Sequence, residues 1–72
     1  MLNKIVHKDP EILGGTAVFK GTLVPVKTLF DYLQEGDSLE VFLQQFPSVS
    51  RDQVIRLLEA MKSDLLKQVA WI

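Results

Sequence analysis

The 72-residue sequence contains no cysteine, one histidine and one tryptophan. Without cysteine, neither a disulfide framework nor a thiolate metal site is available to reinforce a small core. No apolar run approaches the roughly 18 residues that span a membrane, and the first residues do not lead into the apolar stretch of a signal peptide. These absences favour a soluble, cytoplasmic protein without membrane contact.

The sequence also has no strong excess of positive or negative charge. Eight Lys and Arg residues stand against nine Asp and Glu residues, for a net charge of −1. A protein of this charge does not bind nucleic acid by bulk electrostatics, so DNA binding requires a local patch, doubled by dimerisation. The length predicts a single domain, residues 1–72, with a stability of only about a few kcal/mol.

Helical periodicity dominates the sequence after residue 24. Apolar spacing of three and four residues predicts helices over about 25–35, 38–46 and 51–69. Pro47 stops the second helix, and the third begins only a few residues later, so two short-linked helices must cross as a helix-turn-helix. The apolar residues assigned to the buried stripes of these two helices are Leu39, Phe42, Leu43, Phe46, Val54, Leu57, Leu58, Met61 and Leu65.

Capping residues set the predicted helix starts. Asp37 with Glu40, and Ser50 with Gln53, have the spacing of capping boxes, in which the two side chains satisfy each other's free backbone N–H groups. These two pairs predict the N-termini of the second and third helices.

Residues 1–24 carry strand and turn signals. Ile5-Val6, residues 17–19 and residues 22–24 favour extended structure, and Lys20-Gly21 predicts a tight turn with Gly21 at positive φ. Pro25 is suited to the first position of a helix. The predicted fold is therefore mainly α, a three-helix bundle over residues 25–72 with a β-hairpin or wing over residues 1–24.

The third predicted helix has a polar face on which DNA-binding residues can lie. The residues on that face are Asp52, Gln53, Arg56, Glu59, Ala60, Ser63 and Lys67. Because the second helix of a helix-turn-helix inserts its N-terminal part into the major groove, Arg51, Gln53 and Arg56 are the predicted base readers. The hydroxyls of Ser48 and Ser50 and the N–H groups of the helix N-terminus are predicted to hold a phosphate. Lys20, at the turn, is a candidate contact to the DNA backbone. The alternative is an ordinary solvated surface with Arg56 paired to Asp52.

Catalytic and cofactor sites are not predicted. His7 and Asp9 have the spacing of two metal ligands, but no second His and no Cys accompanies them. Gly14-Gly15 lacks the spacing and Lys of a phosphate-binding loop and is better explained by turn dihedrals. We therefore expect no enzyme activity, no metal and no cofactor.

A family resemblance covers roughly residues 5–61. The motif Gly21-Thr22-Leu23-Val24-Pro25-Val26 is its most specific part, and the other residues that carry it are Asp9-Pro10, Gly14-Gly15, Lys20, Gly36, Phe46-Pro47, Ser50 and Asp52-Gln53-Val54. This pattern resembles the small prokaryotic family called domain of unknown function 433, with Ala17 in place of the usual Pro and Leu23 in place of the usual Arg. The resemblance implies a homeodomain-like fold and a DNA-binding antitoxin that represses its own promoter and neutralises a PIN-like ribonuclease toxin.

The last predicted helix is longer than the elements it packs on. Nineteen residues extend about 28 Å, whereas the shorter helices reach about 15 Å. The overhang carries Leu65, Leu66, Val69, Trp71 and Ile72, which we expect to be buried against a second copy, as a homodimer, or against the toxin. In the alternative, the terminus bends back and docks Trp71 on its own core. A homodimeric interaction module without nucleic-acid binding is the competing function.

Overall fold

The protein is a three-helix structure preceded by a small antiparallel sheet, as the sequence predicts. The computed structural model describes residues 4–69. Its elements, in chain order, are β1 (Val6–His7), a 3-10 turn (Leu13–Gly15), β2 (Val18–Phe19), α1 (Val26–Gln34), α2 (Leu39–Gln45) and α3 (Arg51–Gln68). Each helix begins and ends within one residue of its predicted bounds, and the mainly α class with an N-terminal β-hairpin is confirmed.

The sheet pairs β1 with β2, with Val6 opposite Phe19 and His7 opposite Val18. The sequence instead predicted pairing across the Lys20-Gly21 turn. That turn does reverse the chain, because the N–H of Phe19 donates to the carbonyl of Val24 at 3.0 Å. However, residues 22–24 form no strand, and the reversal contributes only an isolated bridge between Val18 and Pro25.

The turn itself has the predicted geometry. Gly21 has φ +82°, a conformation that costs glycine little and other residues more. The N–H of Thr22 donates to the carbonyl of Phe19 at 3.0 Å, and the Thr22 hydroxyl donates to the same carbonyl at 2.8 Å. Pro25 is the N-cap of α1 rather than its first residue, so α1 begins at Val26, one residue later than predicted.

The start of α2 differs from the prediction because Asp37 belongs to the C-terminal end of α1. Gly36 has φ +92°, its N–H donates to the carbonyl of Leu33 at 3.1 Å, and the N–H of Asp37 donates to that of Tyr32 at 2.9 Å. This is the two-bond pattern of a Schellman helix end. Ser38 is therefore the N-cap of α2, and its hydroxyl oxygen accepts from the N–H of Val41 at 3.2 Å.

The core lies where the sheet and all three helices meet. Its fully buried side chains are Phe19, Phe42, Leu29, Val18 and Val54. Phe42 is central to an aromatic cluster, with ring centroids 6.0 Å from Phe19, 5.7 Å from Tyr32 and 5.1 Å from Phe46. Burial of these rings supplies much of the hydrophobic stabilisation available to so short a chain.

The buried face of α3 is rotated from the predicted one. Val54, Leu57 and Ala60 are buried, whereas Met61 and Leu65, assigned to the core from the sequence, are exposed. The seven residues of α2 span only about 10 Å, so the C-terminal half of α3 extends past it. The N-terminal segment lies instead beside Ala60, which lines a groove together with Ile5.

Candidate nucleic-acid interface

The connector between α2 and α3 is short and well packed. The N–H of Val49 donates to the carbonyl of Phe46 at 3.0 Å, and the Val49 side chain is buried. Glu40, in the first turn of α2, forms an ion pair with Arg51, the first residue of α3. These contacts join the end of α2, the connector and the start of α3.

The N-terminus of α3 has the predicted capping box. The Ser50 hydroxyl oxygen accepts from the N–H of Gln53 at 3.1 Å, and the Gln53 side-chain oxygen accepts from the N–H of Ser50 at 3.0 Å. The two side chains therefore satisfy backbone donors that the start of a helix otherwise leaves without partners. The capping box thus stabilises the first turn of α3.

Gln53 also joins α3 to the N-terminal hairpin. Its Nε2 group donates to the backbone carbonyl of Lys20 at 2.9 Å. This bond places Lys20 beside Gln53 and its capping partner Ser50, so three of the five predicted DNA-binding residues lie together. The Gln53 amide oxygen accepts from Ser50 and its nitrogen donates to Lys20. We therefore assign this side chain the role of positioning the turn and the helix start, and not that of reading a base.

Both arginines of the predicted surface are paired with carboxylates. Arg56 Nε lies 2.8 Å from Asp52 Oδ2, one helical turn away on the same helix, and Arg51 pairs with Glu40. All four side chains are largely exposed, and ion pairs of this kind contribute about 0–1 kcal/mol. An arginine in such a weak pair can leave its carboxylate to bind another anion. The pairing of Arg56 with Asp52 was foreseen from their spacing, whereas that of Arg51 with Glu40 depends on the crossing of two helices.

Arg56 follows Gln53 by three residues, about one helical turn further along α3. It lines an open groove of about 550 Å³ between α3 and the N-terminal segment, together with Lys4, Ile5, Glu59, Ala60 and Ser63. The groove contains two cations and one carboxylate over a floor of apolar side chains. Lys4 is a basic residue of this surface that sequence reasoning missed, because only the folded chain brings it to α3.

The weak metal candidate remains an isolated pair. His7 Nε2 lies 3.9 Å from Asp9 Oδ2. Among residues 4–69, no group of three potential His, Cys, Asp or Glu ligands comes together. The helices of this same stretch include none with the length and apolar character needed to cross a membrane.

The predicted partner surface is described only in part. Leu65 and Leu66 are exposed near the end of α3, and Val69 is half-buried. Trp71 and Ile72 lie outside the described residues. The described part of this surface has the expected exposure, and its assignment to a partner stays a prediction.

These features define a small helix-turn-helix protein with an N-terminal hairpin fixed to its third helix. Residues 6–59 match the family described as "Protein of unknown function (DUF433)", and the chain belongs to that family. The matched range includes both the hairpin turn and the capped start of α3.

One relative comes from Sinorhizobium fredii (strain NBRC 101917 / NGR234) and bears the description "Uncharacterized protein y4eO". It is 39% identical over 51 residues, which make up 71% of this chain and 23% of that protein. The chain thus spans less than a quarter of the length of this relative. No solved structure shows a significant match to the chain.

Proposed function

We propose that the protein is a DNA-binding antitoxin that represses its own operon and neutralises a PIN-like ribonuclease toxin. The observation that carries the DNA-binding part is the hydrogen bond from Gln53 to Lys20, which unites the hairpin turn and the start of α3 in one surface. In this role Arg51 and Arg56 contact bases, and Ser50 and Lys20 contact the phosphate backbone.

The electrostatics of the site support binding by exchange of partners. Arg51 and Arg56 are held by exposed carboxylates, which a DNA phosphate can replace as a charged acceptor, and a guanine edge offers a geometrically matched pair of acceptors. Because the net charge is only −1, each site contributes few phosphate contacts. A dimer that uses two such sites therefore fits the proposal better than a monomer.

The experiment is an electrophoretic shift assay on the DNA upstream of the gene, with a scrambled duplex of equal length. The Arg51→Ala, Arg56→Ala double variant is expected to lose about 1–3 kcal/mol of specific binding for each side chain that reads a base. Lys8→Ala combined with Lys27→Ala is the matched control, because it also removes two exposed cations, one of them paired with Asp31 on α1. Unchanged binding by the double variant would refute the assignment.

The antitoxin part of the proposal rests on the family resemblance and on the exposed apolar residues at the end of α3. We expect the protein to co-purify with the product of an adjacent gene for a PIN-like ribonuclease and to relieve its toxicity on co-expression. A combined Leu65→Ser, Trp71→Ala variant should lose this association while keeping its helical circular-dichroism signal. Toxicity that persists on co-expression with the parent protein would refute the antitoxin role.

A second candidate function is a homodimeric interaction module without nucleic-acid binding. It is favoured by the pairing of both arginines with carboxylates, which is also how an ordinary solvated helix surface is built. Absence of any sequence-dependent shift with the parent protein, together with self-association, would select this function.

A further inference from the structure

We propose that α3 forms an antiparallel homodimer through a line of four exposed residues on its outer face. The line consists of Ile55, Glu59, Lys62 and Leu66, and its spacing of four, three and four residues places all four within about 60° on one side of the helix. All four are exposed, with 43% of Ile55 and 52% of Leu66 accessible to solvent. The buried residues of α3, Val54, Leu57 and Ala60, lie on the other side.

The line is complementary to itself when it is reversed. A two-fold interface requires that if one residue contacts a second on the partner, the second contacts the first in return. Around a two-fold axis midway between Ala60 and Met61, Ile55 lies opposite Leu66 of the second copy, and Glu59 lies opposite Lys62. Each contact occurs twice, so the line provides two apolar pairs and two pairs of opposite charge.

The charges decide the orientation. In a parallel pair, Glu59 would meet Glu59 and Lys62 would meet Lys62, and like charges in contact disfavour association. In the antiparallel pair, the existing Glu59–Lys62 ion pair, at 3.5 Å within one helix, gains the opposite pair of the second copy. The four groups then form one alternating cluster between the two apolar contacts.

Leu65 is not part of this line. It directly precedes Leu66, lies about 100° from it around the helix and is exposed to a similar extent, 59% against 52%. The homodimer therefore leaves Leu65 at its edge and the exposed Met61 outside it. Self-association therefore depends on Leu66 and not on the adjacent Leu65.

The geometry is compatible with the proposed DNA binding but does not depend on it. An antiparallel pair with this centre separates the two α3 N-termini by roughly nineteen residues of helical rise, about 28 Å. Successive major grooves on one face of DNA are about 34 Å apart. Because self-association is measured without DNA, failure of the dimer and failure of DNA binding are distinguished.

The first test is sedimentation equilibrium of the full chain. A single helix pair lies at the small end of specific interfaces, so we expect dissociation in the micromolar range. Glu59→Lys and Lys62→Glu should each raise the dissociation constant about tenfold or more, and their equimolar mixture should recover association through the heterodimer. Asp31→Lys and Lys27→Glu, which reverse an exposed ion pair of α1, are the controls with matched charge change.

The second test is disulfide cross-linking, which is selective because the natural chain has no cysteine. Ile55→Cys and Leu66→Cys chains should cross-link with each other and not each with itself, since only the antiparallel pairing brings those positions within disulfide reach. Leu66→Ser should also weaken association more than Leu65→Ser. A monomeric parent chain, a mixture of charge variants that does not recover association, or cross-linking of Ile55→Cys only to itself would overturn the proposal.

Discussion

The side-chain amide of Gln53 donates a 2.9 Å hydrogen bond to the backbone carbonyl of Lys20, a residue 33 positions earlier in the chain. The same side chain accepts the N–H of Ser50 at 3.0 Å. One residue therefore both caps α3 and holds the hairpin turn against it. The relative position of the two parts of the candidate interface depends on this amide.

Gln53→Glu separates these two roles. Glutamate retains the oxygen that completes the capping box but replaces the Nε2 donor with a second oxygen, which faces the Lys20 carbonyl. We expect a loss of about 1 kcal/mol in the free energy of unfolding and faster amide exchange at Lys20, whose N–H donates to the carbonyl of Ile5 at 2.7 Å.

Ser50→Ala is the matched comparison for Gln53→Glu. It should cost a similar amount, about 1 kcal/mol, through loss of the cap, but should leave exchange at Lys20 slow. Hydrogen exchange followed by NMR measures both variants. Equal acceleration at Lys20 in the two variants would show that the cap, and not the amide donor, holds the turn.

Gly21→Ala tests the backbone of the same turn. Gly21 has φ +82°, and nothing lies within 4 Å of the position that a Cβ would occupy. The expected cost, about 1 kcal/mol in urea unfolding, therefore comes from the left-handed conformation and not from a clash. Gly21→Asn should cost less, because Asn tolerates this region better than Ala. A larger loss with Asn would contradict the conformational explanation.

Phe42→Ala tests the core. Phe42 is fully buried, and its removal is expected to cost about 3–5 kcal/mol, as much as the whole stability of a chain of this size. The variant should be largely unfolded by circular dichroism at room temperature. Val41→Ala, on the exposed side of the same helix, should change stability by no more than about 0.5 kcal/mol. A folded Phe42→Ala protein would show that the aromatic cluster contributes less than its burial indicates.

Local signals were sufficient to predict the helices, the capping box of α3 and the conformation of Gly21. Each depends on residues within a few positions of one another, so the sequence contains what is needed. The predicted N-cap at Asp37 was wrong because the Schellman end of α1, also a local feature, uses that residue first. The burial of Ala60 and exposure of Met61 depended on which elements cover α3, and periodicity alone does not supply that.

The candidate site was predictable as a set of residues but not as an arrangement. Lys20 and Gln53 were both singled out from the sequence, yet the bond between them joins segments whose contact only the tertiary fold determines. The pairing of Arg51 with Glu40 is of the same kind. In both cases the residues were singled out from the sequence, and the contact between them was not.

The pairing of Arg51 with Glu40 leads to a prediction about DNA affinity. If Arg51 must leave Glu40 to reach a base or phosphate, Glu40→Gln removes the competing charge and should strengthen binding by up to about fivefold, the equivalent of an exposed ion pair. Stability should change by no more than about 0.5 kcal/mol, because both side chains are largely exposed.

Glu35→Gln, at the end of α1, makes the same change in net charge and controls for long-range electrostatics. Titration of labelled upstream DNA at fixed salt concentration measures the effect, since affinity depends steeply on salt. Weaker binding by Glu40→Gln, with the fold intact and the control unchanged, would show instead that Glu40 holds Arg51 in the orientation that DNA requires.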